Sequence, residues 1–282
     1  MPFLATMKQP LRVFTLALAA TACQPQTDAT TAKDAPAAPT TVAAKQNVPA
    51  QHVALAGPTP LQQIDLSYAW SNATAEAKEN PTMEGFYGPD HYRISFYFSK
   101  VRRDSLHPEQ YHIWGLNRYK KVLTPFEGTC TVTRFAALPD TAEMENSSKV
   151  RAYTAFAEYT LREDPKTKGA GVYSGKAMLD FCVDARNQAR QVTFMGIDLG
   201  LDNPTKGSGL LFEGMWRDNR TGQQKPASWS SNFLVIVPQA LEKIGLGSRG
   251  DTIYPELAKY GWNEWYENDE WWAKAPKPSL SL

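Results

Sequence analysis

The chain is poor in the residues that usually carry polar chemistry: four histidines and three cysteines among 282 residues. The histidines are His52, His91, His107 and His112, and no pair has the His-Glu-x-x-His or Cys-x-x-Cys spacing that holds zinc. No metal site is expected, and no motif asks for a cofactor. A Gly-x-Ser-x-Gly elbow is missing, which removes serine hydrolases of that type. Charge is balanced, with 30 Lys and Arg against 29 Asp and Glu. That balance lacks the basic footprint of a nucleic-acid binder. Two loops, Pro165–Gly171 and Asn203–Gly209, are rich in Lys and Gly but lack the Walker spacing and a following helix. Both read as hairpin loops. Long apolar runs are also missing: the longest at the amino terminus, Val13 to Ala20, falls far short of the ~20 residues a spanning helix needs.

That run nevertheless has a purpose. Lys8 and Arg12 precede it and small residues follow it, up to Cys23. Charge, a short apolar segment and a small-residue end make a secretory signal peptide over residues 1–22. The ending Ala20-Thr21-Ala22-Cys23 resembles the lipobox of bacterial lipoproteins. The resemblance implies cleavage before Cys23, lipidation of its thiol and acylation of the new amino terminus. The partner so implied is a membrane, reached through the lipid. Gln24 rather than Asp follows the cysteine, which by the enterobacterial rule implies the outer membrane. The expected location is the bacterial cell envelope.

Residues 23–60 are rich in Ala, Thr, Pro and Gln and contain no aromatic. Such a segment buries too little apolar area to offset its ordering entropy, so it reads as a disordered tether. The folded part is expected over 61–237 as a β domain, followed by helices over 238–282.

Aromatics are what the sequence has in quantity: eight Trp, twelve Tyr and twelve Phe. They suit the half-buried surface of a sheet. An aromatic-x-Gly triplet begins at Phe86, Phe126, Tyr173 and Phe212, at spacings of 40, 47 and 39 residues. Each sits in an alternating stretch, and each unit supplies a second alternating run: Gln110–Leu116, Arg151–Leu161, Gln191–Leu201 and Ser228–Val237. Period-2 alternation argues for strands with one buried face. Turns are expected near Leu138, Asp184 and Asp218. Four hairpins give an all-β fold: an eight-stranded antiparallel barrel or strongly curved sandwich. A glycine at matching places in four strands is what closure of a sheet into a barrel demands. Glu127 and Glu213, beside two of these glycines, fall on the polar face. In strand count and pattern the domain looks like the calycins, the lipocalin-like and avidin-like barrels.

After Val237 the period changes. Pro238 and Pro255 stand at helix starts, Gly245 and Gly261 at helix ends, and Asn263 at an N-cap. Short helices plugging or flanking the barrel are expected. Trp262, Trp265, Tyr266, Trp271 and Trp272 there form either a lid on the core or a stacking platform for sugars.

Cys130 and Cys182 remain once Cys23 is lipidated, the default disulfide pair in an oxidising envelope. Alternation puts them on opposite faces, so a bridge requires a bulge; otherwise they are two small buried hydrophobes. No catalytic residue is assigned. His112 lies in a strand beside Trp114 without a catalytic motif around it. The expected function is non-catalytic: binding of a small apolar or amphipathic ligand inside, or of an envelope protein outside. The alternatives are an envelope glycan-binding or glycan-processing enzyme, which needs two facing carboxylates, and a purely structural lipoprotein. Phe96, Phe98, Phe126, Tyr173 and Phe181 point inward, and how fully they fill the barrel separates these readings.

Overall fold

The computed structural model describes residues 64–72, 81–144, 148–183, 188–192, 203–238, 255–262 and 270–274. Cys23, the tether, Trp265, Tyr266 and residues 239–245 lie outside them. The chain runs through helix α1 (Ser67–Trp70) into strands β1 (Met83–Tyr87), β2 (Tyr92–Arg103), β3 (Gln110–Tyr119), β4 (Val122–Met144) and β5 (Ser148–Glu163). It continues as β6 (Gly171–Val183), β7 (Ala189–Gln191), β8 (Leu210–Asp218) and β9 (Gln224–Ser230), then a 3-10 turn at Phe233–Ile236 and helices α2 (Pro255–Ala258) and α3 (Trp271–Lys274).

Among the described residues all strand pairs are antiparallel, and the sheet closes on itself. Successive strands pair from β1 to β6, β6 pairs with β8, β8 with β9, and β9 returns to β1. Eight strands complete the ring, as the alternation implies. The short β7 pairs with the far end of β6, at Phe181–Val183, beyond the part that β8 occupies. Closure leaves no open edge among the eight.

The hairpins differ from the expected set in several places. The stretch around Phe86 is not one strand but the hairpin β1–β2, which turns at residues 88–91 with Gly88 at φ +78° and His91 at φ +53°. Phe86 therefore faces outward, where it packs with Phe233, Leu257 and Trp262. The run Gln191–Leu201 supplies only its first residue to β7, and the rest of it from residue 193 is outside the described residues. The run Ser228–Val237 leaves the sheet after Ser230 and winds into the 3-10 turn. The turn expected near Leu138 is instead a bulge inside β4, where the register to β5 shifts between Ala137 and Thr141. Pro139 lacks an amide hydrogen, so a bulge is where a strand tolerates it. The turn at Asp218 forms as expected, with Asp218 Oδ1 accepting from the amides of Arg220 and Thr221 at 2.8 and 2.6 Å.

Gly88 serves the β1–β2 turn, while the other three repeated glycines, at 128, 175 and 214, stand where strands close on one another. A Cβ on Gly128 would land on the Thr160 carbonyl of β5 and 2.8 Å from Leu161 Cα. Gly175 and Gly214 face each other across β6 and β8, and a Cβ on Gly175 would stand 2.6 Å from Gly214 Cα. The strands coil so sharply there that inward space on one is occupied by backbone on the next. This answers why the chain spells Phe-Glu-Gly at 126–128 and again at 212–214: ring in, acid out, then backbone over backbone.

Candidate functional site

The barrel interior is an aromatic column. Trp229 lies stacked between Phe96, at a ring distance of 3.9 Å, and Phe212, at 5.0 Å. Tyr159 and Tyr173 meet Trp229 edge-on at 5.4 and 5.7 Å. Phe98 contacts Phe126 and Phe212 at 5.8 and 5.5 Å. Ala155 and Ala157 on β5 are small members of the same core. Phe96, Phe126, Phe212 and Trp229 are each 0% exposed. The inward set expected from alternation fills the layer it occupies.

Both ends of the column are occupied. At one, α1 buries Leu66, Ala69 and Trp70; Trp70 packs on Tyr111 and Phe212, and the Leu66 amide donates to Tyr111 Oη at 3.2 Å. Burial pushes the Tyr111 phenol up to about 12. The plug is thus amino-terminal; of the two places expected for the carboxy-terminal helices, Leu257 and Trp262 take the flank, packed on Phe86. At the other end Glu163 is nearly buried. Its carboxylate accepts from Asn117 Nδ2 (2.6 Å), the Gly171 amide (2.7 Å), Trp216 Nε1 (2.9 Å) and Tyr173 Oη (3.4 Å). Burial raises its pKa, against those four donors, which lower it. A carboxylate engaged by four protein donors is a structural tie rather than a free acid.

The possible bridge between Cys130 and Cys182 is not formed, in keeping with their opposite faces. Cys130 lies in the interior on β4, Cys182 faces outward on β6 across from Ala152, and the barrel wall stands between the two faces. Burial holds the Cys130 thiol well above its usual range, which keeps it protonated and inert.

Of the carboxy-terminal aromatics, Trp262 is 2% exposed, stacks on Phe233 at 4.9 Å and tilts against Phe86 at 5.2 Å. Trp271 is also buried, and Trp272 half-buried, their rings 6.0 Å apart. Trp262 and Trp271 are packing residues, not an open sugar platform. Trp262 covers the outside of the barrel wall, not its end.

Three further polar features are built on the outer wall. Asp180 faces outward on β6 yet is fully buried, because the loop at 203–209 folds over it. Its carboxyl accepts from Thr154 Oγ1 (2.6 Å), Asn203 Nδ2 (3.2 Å) and Thr205 Oγ1. Desolvation raises its pKa to about 6 in spite of these bonds. This loop reads as an ordinary hairpin loop in the sequence; in the structure it is a clamp.

The second feature is the face of β2 and β3 around Trp114. His112 Nε2 stands 2.7 Å from Asp104 Oδ2, and Lys100 and Arg102 lie 5.2 and 5.8 Å from the Trp114 ring. The His112 hydrogen bond, aided by the amides of His107 and Leu106, holds Asp104 well below the usual carboxylate range. Asp104 precedes His112 by eight residues across a hairpin, a pairing no linear motif displays.

The third is a small, shallow cleft beside the β3–β4 turn, lined by Tyr92, Arg93, Ser95, Arg118, Lys120, Lys121 and Gly261. The carboxy-terminal segment forms one wall: the Arg93 amide donates to the Tyr260 carbonyl at 2.8 Å. Beneath it Glu84 is 5% exposed, held by Arg93 Nε (2.8 Å), Ser95 Oγ (2.6 Å) and Thr82 Oγ1 (3.2 Å). The turn has two residues, Lys120 and Lys121, with Tyr119 paired to Val122. Both lysines have positive φ, 50° and 65°. Tight hairpins of this kind favour Asn-Gly, because the left-handed region costs an ordinary residue about 1–2 kcal/mol. Lys120 lies 4.8 Å from the Tyr92 ring and 5.3 Å from Tyr119. This cleft is the candidate site. Its residues are scattered over three strands and the carboxy-terminal segment, and the one local signal, a Lys-Lys pair in a tight turn, is legible only once the turn is located.

No protein family, no curated protein and no solved structure matches this chain.

Proposed function

We propose that this is a lipid-anchored protein of the bacterial cell envelope, attached through Cys23 and held off the membrane by its tether. Its role is non-catalytic: the barrel is a rigid scaffold, and the outer wall binds a partner. One observation carries the choice between the inside and the outside. The Phe96–Trp229–Phe212 stack takes the space that an apolar ligand would need, with each ring fully buried. An eight-stranded barrel has room for side chains or for one small ligand. Here the side chains have it.

The test has two parts. Native mass spectrometry of the protein extracted from its host should give the chain from Cys23 plus its acyl groups. A co-purifying apolar ligand would return the binding site to the barrel. Cys23→Ser should release the protein from membranes or leave it unprocessed, since several acyl chains, at about 0.8 kcal/mol per buried methylene, hold where one holds only marginally. Fractionation of that variant with membranes at the mature size would refute the anchor.

A further inference from the structure

The loop at 203–209 lies over Asp180 on the outer wall, and what holds it there is polar. None of its side chains joins either hydrophobic cluster. Asn203 Nδ2 (3.2 Å) and Thr205 Oγ1 donate to the Asp180 carboxyl, and Ser231 Oγ, just past β9, donates to the Ser208 carbonyl. Lys206 pairs with Glu213 at 3.3 Å on the exposed side. We propose that this loop is a proton-operated strap: it stays closed over Asp180 while the carboxyl carries its proton, and it opens far more readily once the proton is lost. The device goes beyond the reading of the outer wall as the working surface and does not depend on what that surface binds.

The surroundings of the carboxyl set the direction. Asp180 is 0% exposed, yet every group bonded to its carboxyl is neutral: Thr154 Oγ1 of β5 at 2.6 Å, and the two strap residues. Charged side chains on the described elements around it stand in other rows of the wall. Lys206 is paired with Glu213 of β8, Lys176 stands opposite Glu158 and Glu213, and Arg190 of β7 stands opposite Cys182. A carboxylate so placed loses its water and gains no cation, so the closed strap penalises ionisation and the open one does not. Desolvation accordingly raises the pKa from 3.8 to about 6 in the closed form. The neutral acid fits the same cradle, because a threonine hydroxyl can rotate to accept its hydrogen bond.

The shape of the strap runs through one of those hydroxyls. Thr205 Oγ1 donates to Asp180 and accepts from the Gly207 amide at 3.3 Å, while Asn203 Oδ1 accepts from the Thr205 amide at 3.2 Å. Lys206, Gly207 and Gly209 have φ of 54°, 79° and 80°. A lysine in the left-handed region keeps that conformation only while its neighbours impose it. A segment tied by polar contacts, without an apolar anchor, opens at less cost than the sheet beneath it. Opening bares Asp180 and Thr154, so the outer wall is sealed in acid and offers a reachable carboxylate near neutral pH.

Backbone amide hydrogen exchange of full-length Cys23→Ser protein, followed by NMR from acid to neutral pH and corrected for intrinsic exchange, tests the strap. The reporters are the amides of Lys206, Ser208 and Asp180, which donate to the Asn203, Thr205 and Gly209 carbonyls at 2.8, 3.0 and 2.7 Å. Their protection should fall roughly 100-fold as pH rises from 3.8 to about 6, tenfold for each unit of the shift, and level off above that. At each pH they should exchange faster than amides of the β3–β4 pair, because the strap opens without the barrel. Asp180→Asn should remove the pH dependence. Thr205→Val, which deletes the strap's hydroxyl, should speed exchange at Lys206 and Ser208 roughly tenfold near neutral pH, the worth of one hydrogen bond to a charged group. A pH dependence that survives Asp180→Asn, strap exchange no faster than that of the β3–β4 pair, or an unchanged rate in Thr205→Val overturns the inference.

Discussion

The inner and outer faces of one barrel wall obey different rules, and strand β4 shows both within three residues. Phe126 points into the column, Glu127 points out, and Gly128 lets β5 pass against its inner side. Inside, space is filled by rings and every substitution meets a neighbour. Outside, polar groups find built partners, as Asp180 does under its loop and Glu84 does with Arg93. The difference teaches where this molecule can change. The interior specifies one fold; the exterior is where selection has room to place a site.

The largest effect should come from the middle of the column. Trp229→Ala removes the ring between Phe96 and Phe212 and leaves a cavity that rigid strands cannot close. A loss of about 3–5 kcal/mol is expected from chemical denaturation, a large share of the ~5–15 kcal/mol that holds a typical domain. A loss under about 1 kcal/mol would mean that the inner face is not the rigid side.

Gly128→Val comes next. Its side chain would collide with the Thr160 carbonyl and Leu161 Cα, backbone atoms of a paired strand. Such a clash exceeds ordinary overpacking, so about 3 kcal/mol or more is expected from thermal unfolding. The adjacent outward change, Glu127→Gln, should stay within about 0.5 kcal/mol. A reversed ranking would show that Phe-Glu-Gly recurs for its carboxylate.

Asp180 sharpens the comparison because it is an outer residue treated like an inner one. Its pKa is raised from 3.8 to about 6, chiefly by desolvation. The folded protein therefore holds a proton there that the unfolded chain releases. The stability this contributes is complete below pH 3.8, declines as pH rises towards about 6, and is gone above it. At 1.36 kcal/mol per pKa unit the swing is at most about 3 kcal/mol. Asp180→Asn carries no charge at any pH, so the parent should lose stability relative to it across that window. Equal pH profiles would mean that the loop at 203–209 does not seal the carboxyl.

Much of the inner face is legible in the sequence. Alternation alone places Phe96, Phe98, Phe126, Tyr173 and Phe181 inside and puts Cys130 and Cys182 on opposite faces, because a strand has only two sides. The glycines at 128, 175 and 214 are legible as closure points for the same reason. The first hairpin escapes this reading because the alternation from Phe86 to Phe98 stays in phase across the turn at Gly88, and periodicity cannot see a reversal of direction. The plug escapes it because Leu66, Ala69 and Trp70 occupy a single helical turn, too short to display a period. The outer site is not legible. Arg93, Arg118, Lys120 and Gly261 meet through strand register and through the return of the carboxy-terminal segment, neither of which leaves a mark in local sequence.

The central claim is that the barrel is filled and the protein works from outside. Titration of the Cys23→Ser protein with a small apolar fluorophore tests it most directly, with Trp229→Ala as the internal control. The parent should bind none, while Trp229→Ala, with its column opened, should take up the probe as engineered apolar cavities do. Stoichiometric binding to the parent, with quenching of its tryptophan emission, would contradict the account and place the ligand inside.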